Sequence, residues 1–242
     1  MRLSRVYVAL PLSVGTTVEL ESTTGHYLTR VLRLPLNARV NVFNGLGGEY
    51  QAIISAASKR SVSLQIEAYK DRNTDSPLST YLGIGVSRGE RMDWVIQKAT
   101  ELGVTEIIPL MCERTAVKLS GDRLQRRMSH WQKIAISACE QSERNRLPVI
   151  QLPVTVDQWT SSCAAHTKWL LHPGEKMSAR VPDTPEAIAL MVGPEGGFSD
   201  PEVKTAKKSG FSAVSLGPRI LRTETAPIAA LSIIQYLWGD LG

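Results

Sequence analysis

Residues 216 to 226 concentrate the chemistry of this chain: Leu216-Gly217-Pro218-Arg219-Ile220-Leu221-Arg222-Thr223-Glu224-Thr225-Ala226. A guanidinium and a carboxylate two positions apart, with hydroxyls beside them, suit the handling of charge that develops during a reaction. The cation can stabilise a forming anion, and the carboxylate can orient the cation or accept a proton. Charged groups near a core cost free energy unless they are paired or used. This cluster lies between a strand-like run, Ala213 to Leu216, and an apolar helix pattern, Ile228 to Trp238. By itself it reads equally well as a surface turn with a helix cap.

Two similar positions occur upstream. Gly193-Pro194-Glu195-Gly196-Gly197-Phe198 runs into Ser199-Asp200-Pro201-Glu202. The Ser199/Glu202 spacing is a capping box, and Pro201 suits a first helical turn. The glycines permit positive φ and close approach of backbone to a ligand. The loop lacks the Lys-Ser/Thr of a phosphate loop and the spacing of a dinucleotide fingerprint. An adenine or sulfonium cofactor held by backbone groups fits it better, although a ligand-free tight turn is the simpler account of the loop alone. The other position is Leu171-His172-Pro173-Gly174. His172 has no partners at metal-ligand spacing, so it reads as a ligand-loop or packing histidine and no metal is expected. His26, His130 and His166 are scattered and take no role.

The elements that must hold these loops fall into two domains. Residues 1–72 read as β-rich: alternating runs occur at Arg5–Val8, Val40–Phe43, Tyr50–Ile54 and Ser61–Ile66, with turn signals at Asn44 to Gly48 and Ser58-Lys59-Arg60. One helix is expected from Thr24 to Leu34, ended by Pro35. Short strands plus one helix suggest a small barrel, with Arg2, Arg5, Arg30 and Arg33 as a basic face. Asp71 to Pro77 is polar and reads as the linker. From residue 77 to 242 strands and helices alternate: strands at Tyr81–Val86, Glu106–Leu110, Thr167–Leu171, Ala187–Val192 and Ala213–Leu216, helices at Arg91–Leu102, Asp122–Ser142, Asp200–Lys208 and Ile228–Trp238. Ser87 and Glu90 look like a capping box before the first of these helices, and Gly103 ends it. Such alternation implies a mainly parallel sheet covered on both faces, with ligands outside the carboxyl ends of its strands.

Totals narrow the classes. The 242 residues are 43% hydrophobic, and no apolar run reaches the length of a membrane span. The segment Met1 to Arg5 leads into an alternating run and not a signal-peptide block. Three widely spaced cysteines, Cys112, Cys139 and Cys163, form neither a disulfide framework nor a metal pair, which fits a reducing cytoplasm. Net charge is +5. Between Glu113 and Arg146 eight basic residues face four acidic ones, compatible with a polyanionic partner or with a solvated helix face.

Taken in order, the Gly193 to Gly197 and Leu216 to Ala226 segments resemble the cofactor loops of SPOUT-class RNA methyltransferases. Ser87-Arg88-Gly89-Glu90-Arg91-Met92, Gln97 to Val104, Glu113-Arg114-Thr115 and Glu140 to Pro148 narrow the resemblance to the RsmE family, the 16S rRNA uridine-N3 methyltransferases, over the whole chain. The resemblance implies a SPOUT α/β knot at the C-terminus, in which the last helix threads a loop to form a trefoil, and a PUA-like or OB-like barrel at the N-terminus that helps to bind RNA. It implies S-adenosyl-L-methionine as cofactor, held by Leu171, His172, Pro173, Gly193, Pro194, Glu195, Gly196, Gly197, Leu216, Gly217, Ile220, Leu221 and Thr225. Arg222 and Glu224 are the catalytic candidates. Arg5, Arg30, Arg33, Arg88, Arg91, Arg144 and Arg146 are the candidates for contact with 16S rRNA of the small ribosomal subunit. A cytoplasmic homodimer with its site near the interface is implied as well. A ribose 2′-O-methylating SPOUT relative and a non-catalytic RNA-binding assembly factor remain open alternatives. Pro227, close to the start of the last helix, leaves that start in doubt.

Overall fold

The computed structural model describes residues 3–20, 22–58, 61–117, 119–173 and 184–242. Arg2, Lys59, Arg60 and Gly174, which figured above, lie outside them. The chain divides into two compact units, residues 1–75 with 139–147, and residues 76–138 with 148–242.

The first unit is built on a five-stranded sheet in the order β1-β3-β4-β5-β2. Its strands are β1 (Ser4–Tyr7), β2 (Thr17–Glu19), β3 (Arg39–Phe43), β4 (Glu49–Ala57) and β5 (Val62–Lys70). β1 runs parallel to β3 and the other pairs are antiparallel. Alternation places Val40, Val42, Ala52, Ile54, Leu64 and Ile66 on the buried side. The β4–β5 register shifts twice, between Gln51 and Ala52 and between Ile54 and Ala56; such irregularities bend a strand. The expected helix is shorter than its apolar pattern: α1 (Ser22–His26) continues as a π-helical turn over Tyr27–Val31. Arg33 then takes a left-handed φ of 53°, which ends the helix two residues before Pro35. β2 is too short to give a sequence signal. The segment expected as a plain linker is bonded within this unit: Arg72 pairs with Glu143 and Glu49, and the Thr74 hydroxyl donates to the Glu143 carbonyl at 3.0 Å.

The second unit carries an all-parallel sheet in the order β12-β10-β11-β6-β7-β8, with β9 also pairing β7. Its strands are β6 (Ser79–Gly85), β7 (Glu106–Met111), β8 (Val149–Ile150), β9 (Val154–Thr155), β10 (Thr167–Leu171), β11 (Ala187–Val192) and β12 (Ser212–Val214); its helices are α2 (Arg91–Glu101), α3 (Gly121–Ser142, whose last residues belong to the first unit), α4 (Val156–Ser162), α5 (Asp200–Lys208) and α6 (Thr225–Trp238). Period-two alternation feeds two cores. Ile188, Leu190 and Val192 of β11 pack with Leu82, Ile96, Trp131 and Ile234, whereas Ala189 and Met191 pack with Leu110, Trp159, Leu170 and Phe198 on the other face. This two-sided burial is why the strands read as continuous apolar runs.

Local signals set the ends of the helices. α2 closes in a Schellman motif: Gly103, at φ 80°, donates to the Thr100 carbonyl and Val104 to that of Ala99. α5 has both bonds of the Ser199/Glu202 capping box. The box expected at the start of α2 is absent. Gly89 turns the chain at φ 64°, Glu90 becomes the N-cap without a side-chain bond, and the Ser87 hydroxyl donates instead to the Gly85 carbonyl at 3.2 Å. α6 begins at Thr225, three residues earlier than its apolar pattern suggested, because Pro227 sits in the first turn, where an N–H would have no intrahelical partner anyway. β8, β9 and α4, the last with a Thr155/Gln158 capping box, were not anticipated.

Candidate functional site

Because the sheet is parallel, the loops leaving β6, β10, β11 and β12 emerge along one edge, and these strands are neighbours. The last three of these loops, with Arg91 at the start of α2 and Arg114 beyond β7, enclose a cavity of about 680 Å³, within the range of small-molecule sites. Close backbone approach shapes it. A Cβ at Gly85 would lie 2.3 Å from the Pro194 nitrogen, so β6 and the Gly193 loop touch through backbone alone. The Pro194–Gly197 turn closes with a 2.8 Å bond from Gly197 N–H to the Pro194 carbonyl, with Gly197 at φ 67°.

Hydroxyls fasten the loops together. Thr223 donates to the Gly193 carbonyl at 2.8 Å, and its oxygen lies 3.4 Å from that of Ser87. These bonds tie the β12–α6 loop to the loops after β11 and β6. The backbone N–H of His172 donates to the Val214 carbonyl at 3.1 Å. The buried His172 Nδ1 has no hydrogen-bond partner among the described residues.

Charge is distributed unevenly around the cavity. Glu195 accepts the Arg88 N–H at 3.1 Å and pairs with the Arg91 guanidinium at 2.5 Å. Burial pushes this carboxyl up, but its own backbone N–H, that of Arg88 and the Arg91 guanidinium together outweigh burial and hold it below its ordinary value. Glu224 lies between two cations, 3.8 Å from Arg91 Nε and 3.9 Å from Arg222 Nη1. Its buried Oε2 has no hydrogen bond among the described residues. Arg222 itself is 82% exposed. Arg114, just beyond β7, donates to the Gly196 carbonyl at 3.1 Å.

Of the residues expected to hold a cofactor, Leu171, His172, Pro173, Gly193, Pro194, Glu195, Gly196, Gly197, Leu216, Ile220 and Leu221 line this cavity, as do Arg222 and Glu224. Gly217 and Thr225 do not. Gly217, at φ 105°, turns the loop, and the N–H of Thr225 donates to the Arg222 carbonyl at the start of α6. Arg114 and Arg219 line the cavity without having been singled out. Arg219 is in the same loop as Arg222, and Arg114 is in the Glu113-Arg114-Thr115 run at a strand end, so both carried a signal that was available.

The RNA candidates divide. Arg30, Arg33, Arg88, Arg91 and Arg146 are exposed. Arg5 and Arg144 require correction, because both are spent inside the first unit. The Arg5 side chain is 6% exposed, pairs with Glu49 and Asn145, donates to the Arg144 carbonyl at 3.0 Å and stacks over Phe43. Arg144 is 7% exposed and lies 3.5 Å from Asp75. Burial lowers the Arg5 pKa from its ordinary value. No cluster of metal-ligating side chains occurs among the described residues, and no helix among them is long and apolar enough to cross a membrane.

Glycine backbone, the Leu171, Leu216 and Leu221 side chains and an unpartnered imidazole nitrogen suit an adenosyl cofactor: backbone groups can read a base edge while apolar walls cover its ring. Comparison with known proteins points the same way. The RNA methyltransferase domain family matches residues 74–235, and the RNA methyltransferase PUA domain family matches residues 20–67. Ribosomal RNA small subunit methyltransferase E of Buchnera aphidicola is 34% identical, the match covering 99% of this chain and 95% of that protein. A methyltransferase of Legionella pneumophila, solved in complex with bound cofactor SAM, is 40% identical with a TM-score of 0.96, and the match covers 100% of each chain. The Neisseria gonorrhoeae ribosomal RNA small subunit methyltransferase E, solved bound to S-adenosyl methionine, is 37% identical with a TM-score of 0.92, again over 100% of each chain. With a matching family domain over most of its length and relatives aligned end to end, the chain belongs to the ribosomal RNA small subunit methyltransferase E family.

Proposed function

We propose that this protein transfers a methyl group from S-adenosyl-L-methionine to N3 of a uridine in the 16S rRNA of the small ribosomal subunit, acting in the cytoplasm. The observation that carries this reading is the placing of Arg222 and Glu224 on the wall of the same backbone-lined cavity that the three strand-end loops form. When bound, the cofactor supplies an electrophilic methyl group on its sulfonium. The Gly193 to Gly197 loop, His172 and Leu216 to Leu221 hold it.

Uracil N3 is a poor nucleophile while it carries its proton. Glu224 would accept that proton as N3 takes up the methyl group. Arg222 stabilises the negative charge that spreads to the uracil oxygens, a contribution of about 3–4 kcal/mol for one well-placed donor. Holding base and donor in line supplies a further term, up to roughly 7–11 kcal/mol in favourable cases. The base must leave its stack to reach the cavity.

The same reading includes the trefoil threading of α6 and a homodimer. What supports the threading is that the loop before α6 is bonded to the loops after β6 and β11. What supports the dimer is the exposed apolar surface of Ile220, Tyr236, Leu237 and Leu241 in the second unit. The test is incubation with methyl-labelled cofactor and small subunits from a strain lacking this protein, followed by mass spectrometry of the digested rRNA. N3-methyluridine is expected. A 2′-O-methyl nucleoside would move the reaction to the ribose, and absence of both label and cofactor binding would leave only an RNA-binding module.

A further inference from the structure

The cavity holds more positive charge than its cofactor can use. Among the described residues four guanidiniums line it, Arg91, Arg114, Arg219 and Arg222, against two carboxylates, Glu195 and Glu224. Both carboxylates lie with Arg91 and Arg222, at 2.5 to 3.9 Å. Arg114 and Arg219 are exposed and form no ion pair among the described residues. Among the described residues Arg114 makes one hydrogen bond, to the Gly196 carbonyl at 3.1 Å, which engages one of its five donors. The two side chains come from separate elements, one just beyond β7 and the other in the β12–α6 loop.

A sulfonium cofactor brings an amino-acid zwitterion and a positive sulfur, so it adds positive charge to a cavity already in surplus. Like charges in a cleft walled by protein repel more strongly than in water. The surplus therefore serves an anion that arrives with the other substrate. We propose that Arg114 and Arg219 form a phosphate subsite that grips a backbone phosphodiester of the RNA strand beside the target nucleotide. The proposal rests on the RNA methyltransferase reading of the same cavity. The planar guanidinium fork matches two phosphate oxygens at once. Phosphate contacts fix register and orientation without reading sequence. Because Arg114 also holds Gly196 of the cofactor loop, the strand is registered directly against the methyl donor.

The test follows binding of a fluorescent oligouridylate across a salt series, together with calorimetry of S-adenosylmethionine binding, for the wild type, Arg114→Gln, Arg219→Gln and the double variant. Each single change is expected to reduce the log K against log salt slope by about 0.7, and the pair by about 1.4, and to lower oligonucleotide affinity by a larger factor than cofactor affinity. Arg114→Lys and Arg219→Lys retain most of the slope because they keep the charge. If the wild type binds and methylates RNA but the Gln variants keep its slope, the subsite is overturned. The same holds if Arg114→Gln loses cofactor affinity with its slope intact, which would make Arg114 a fastener of the Gly196 loop. Failure of the wild type to bind or methylate RNA would instead sink the RNA methyltransferase reading.

Discussion

Arginines do opposite things in the two units. In the first, Arg5 is 6% exposed and bonded to Glu49, itself 4% exposed, and to Asn145, while Arg144 lies beside Asp75. In the second, Arg222 is 82% exposed and stands 3.9 Å from its only carboxylate among the described residues, and Arg114 and Arg219 have none. One set is buried with its charge balanced by a neighbouring carboxylate, so it specifies structure. The other keeps charge and donors available for something that arrives later. Residue type and net charge are the same in both; partner and depth separate them.

The comparison can be tested from its strongest side. Arg5→Met should cost about 3–5 kcal/mol in denaturant unfolding, because Glu49 is left charged and buried, and Arg5→Met with Glu49→Met should recover much of it. A loss below 1 kcal/mol would remove the structural half of the contrast. Arg222→Ala should slow single-turnover methylation about 10²–10³-fold with stability changed by no more than about 0.5 kcal/mol; a near-normal rate with cofactor bound would remove the functional half. Thr223→Val cuts the bond to the Gly193 carbonyl and should weaken cofactor binding by about 1 kcal/mol, roughly fivefold, in calorimetry. Arg146→Ala sits between the two classes, 61% exposed yet 3.2 Å from Asp75, and should cost less than about 1 kcal/mol. The smallest effect is one of pH. The Glu195 carboxyl lies below its ordinary value of 4.5, so what it contributes is present above that value and is lost only as pH falls through the lowered one. The difference in unfolding free energy between the wild type and Glu195→Gln should then be flat from about pH 8 to pH 5; a change in that difference within this range would show that Glu195 is not held as described.

Much of the second unit was legible because its signals are local. The Ser199/Glu202 box, the Gly103 stop and the apolar runs of β10 and β11 each need only a few adjacent residues. The three loops were legible as a group because parallel strands place their ends together. Failures came where distant residues decide. Ser87 has the spacing of a cap, yet Gly89 turns the chain and Thr223, 136 positions later, lies beside its hydroxyl. Arg5 and Arg144 look like surface cations until Glu49, Asn145 and Asp75 are placed around them. β8 and β9, with two residues each, are too short for any periodicity.

The making of residues 139–147 part of the first unit has a consequence in time. Asn145, which bonds Arg5, is 140 residues further along the chain. On a ribosome adding roughly 5–20 residues per second, the N-terminal strands are complete for several seconds before that partner leaves the exit tunnel. Until then Arg5 and Glu49 have an incomplete shell. The N-terminal unit is thus finished only after about half of the other has been translated, and a gene fragment encoding residues 1–75 alone would yield a protein still waiting for its last piece.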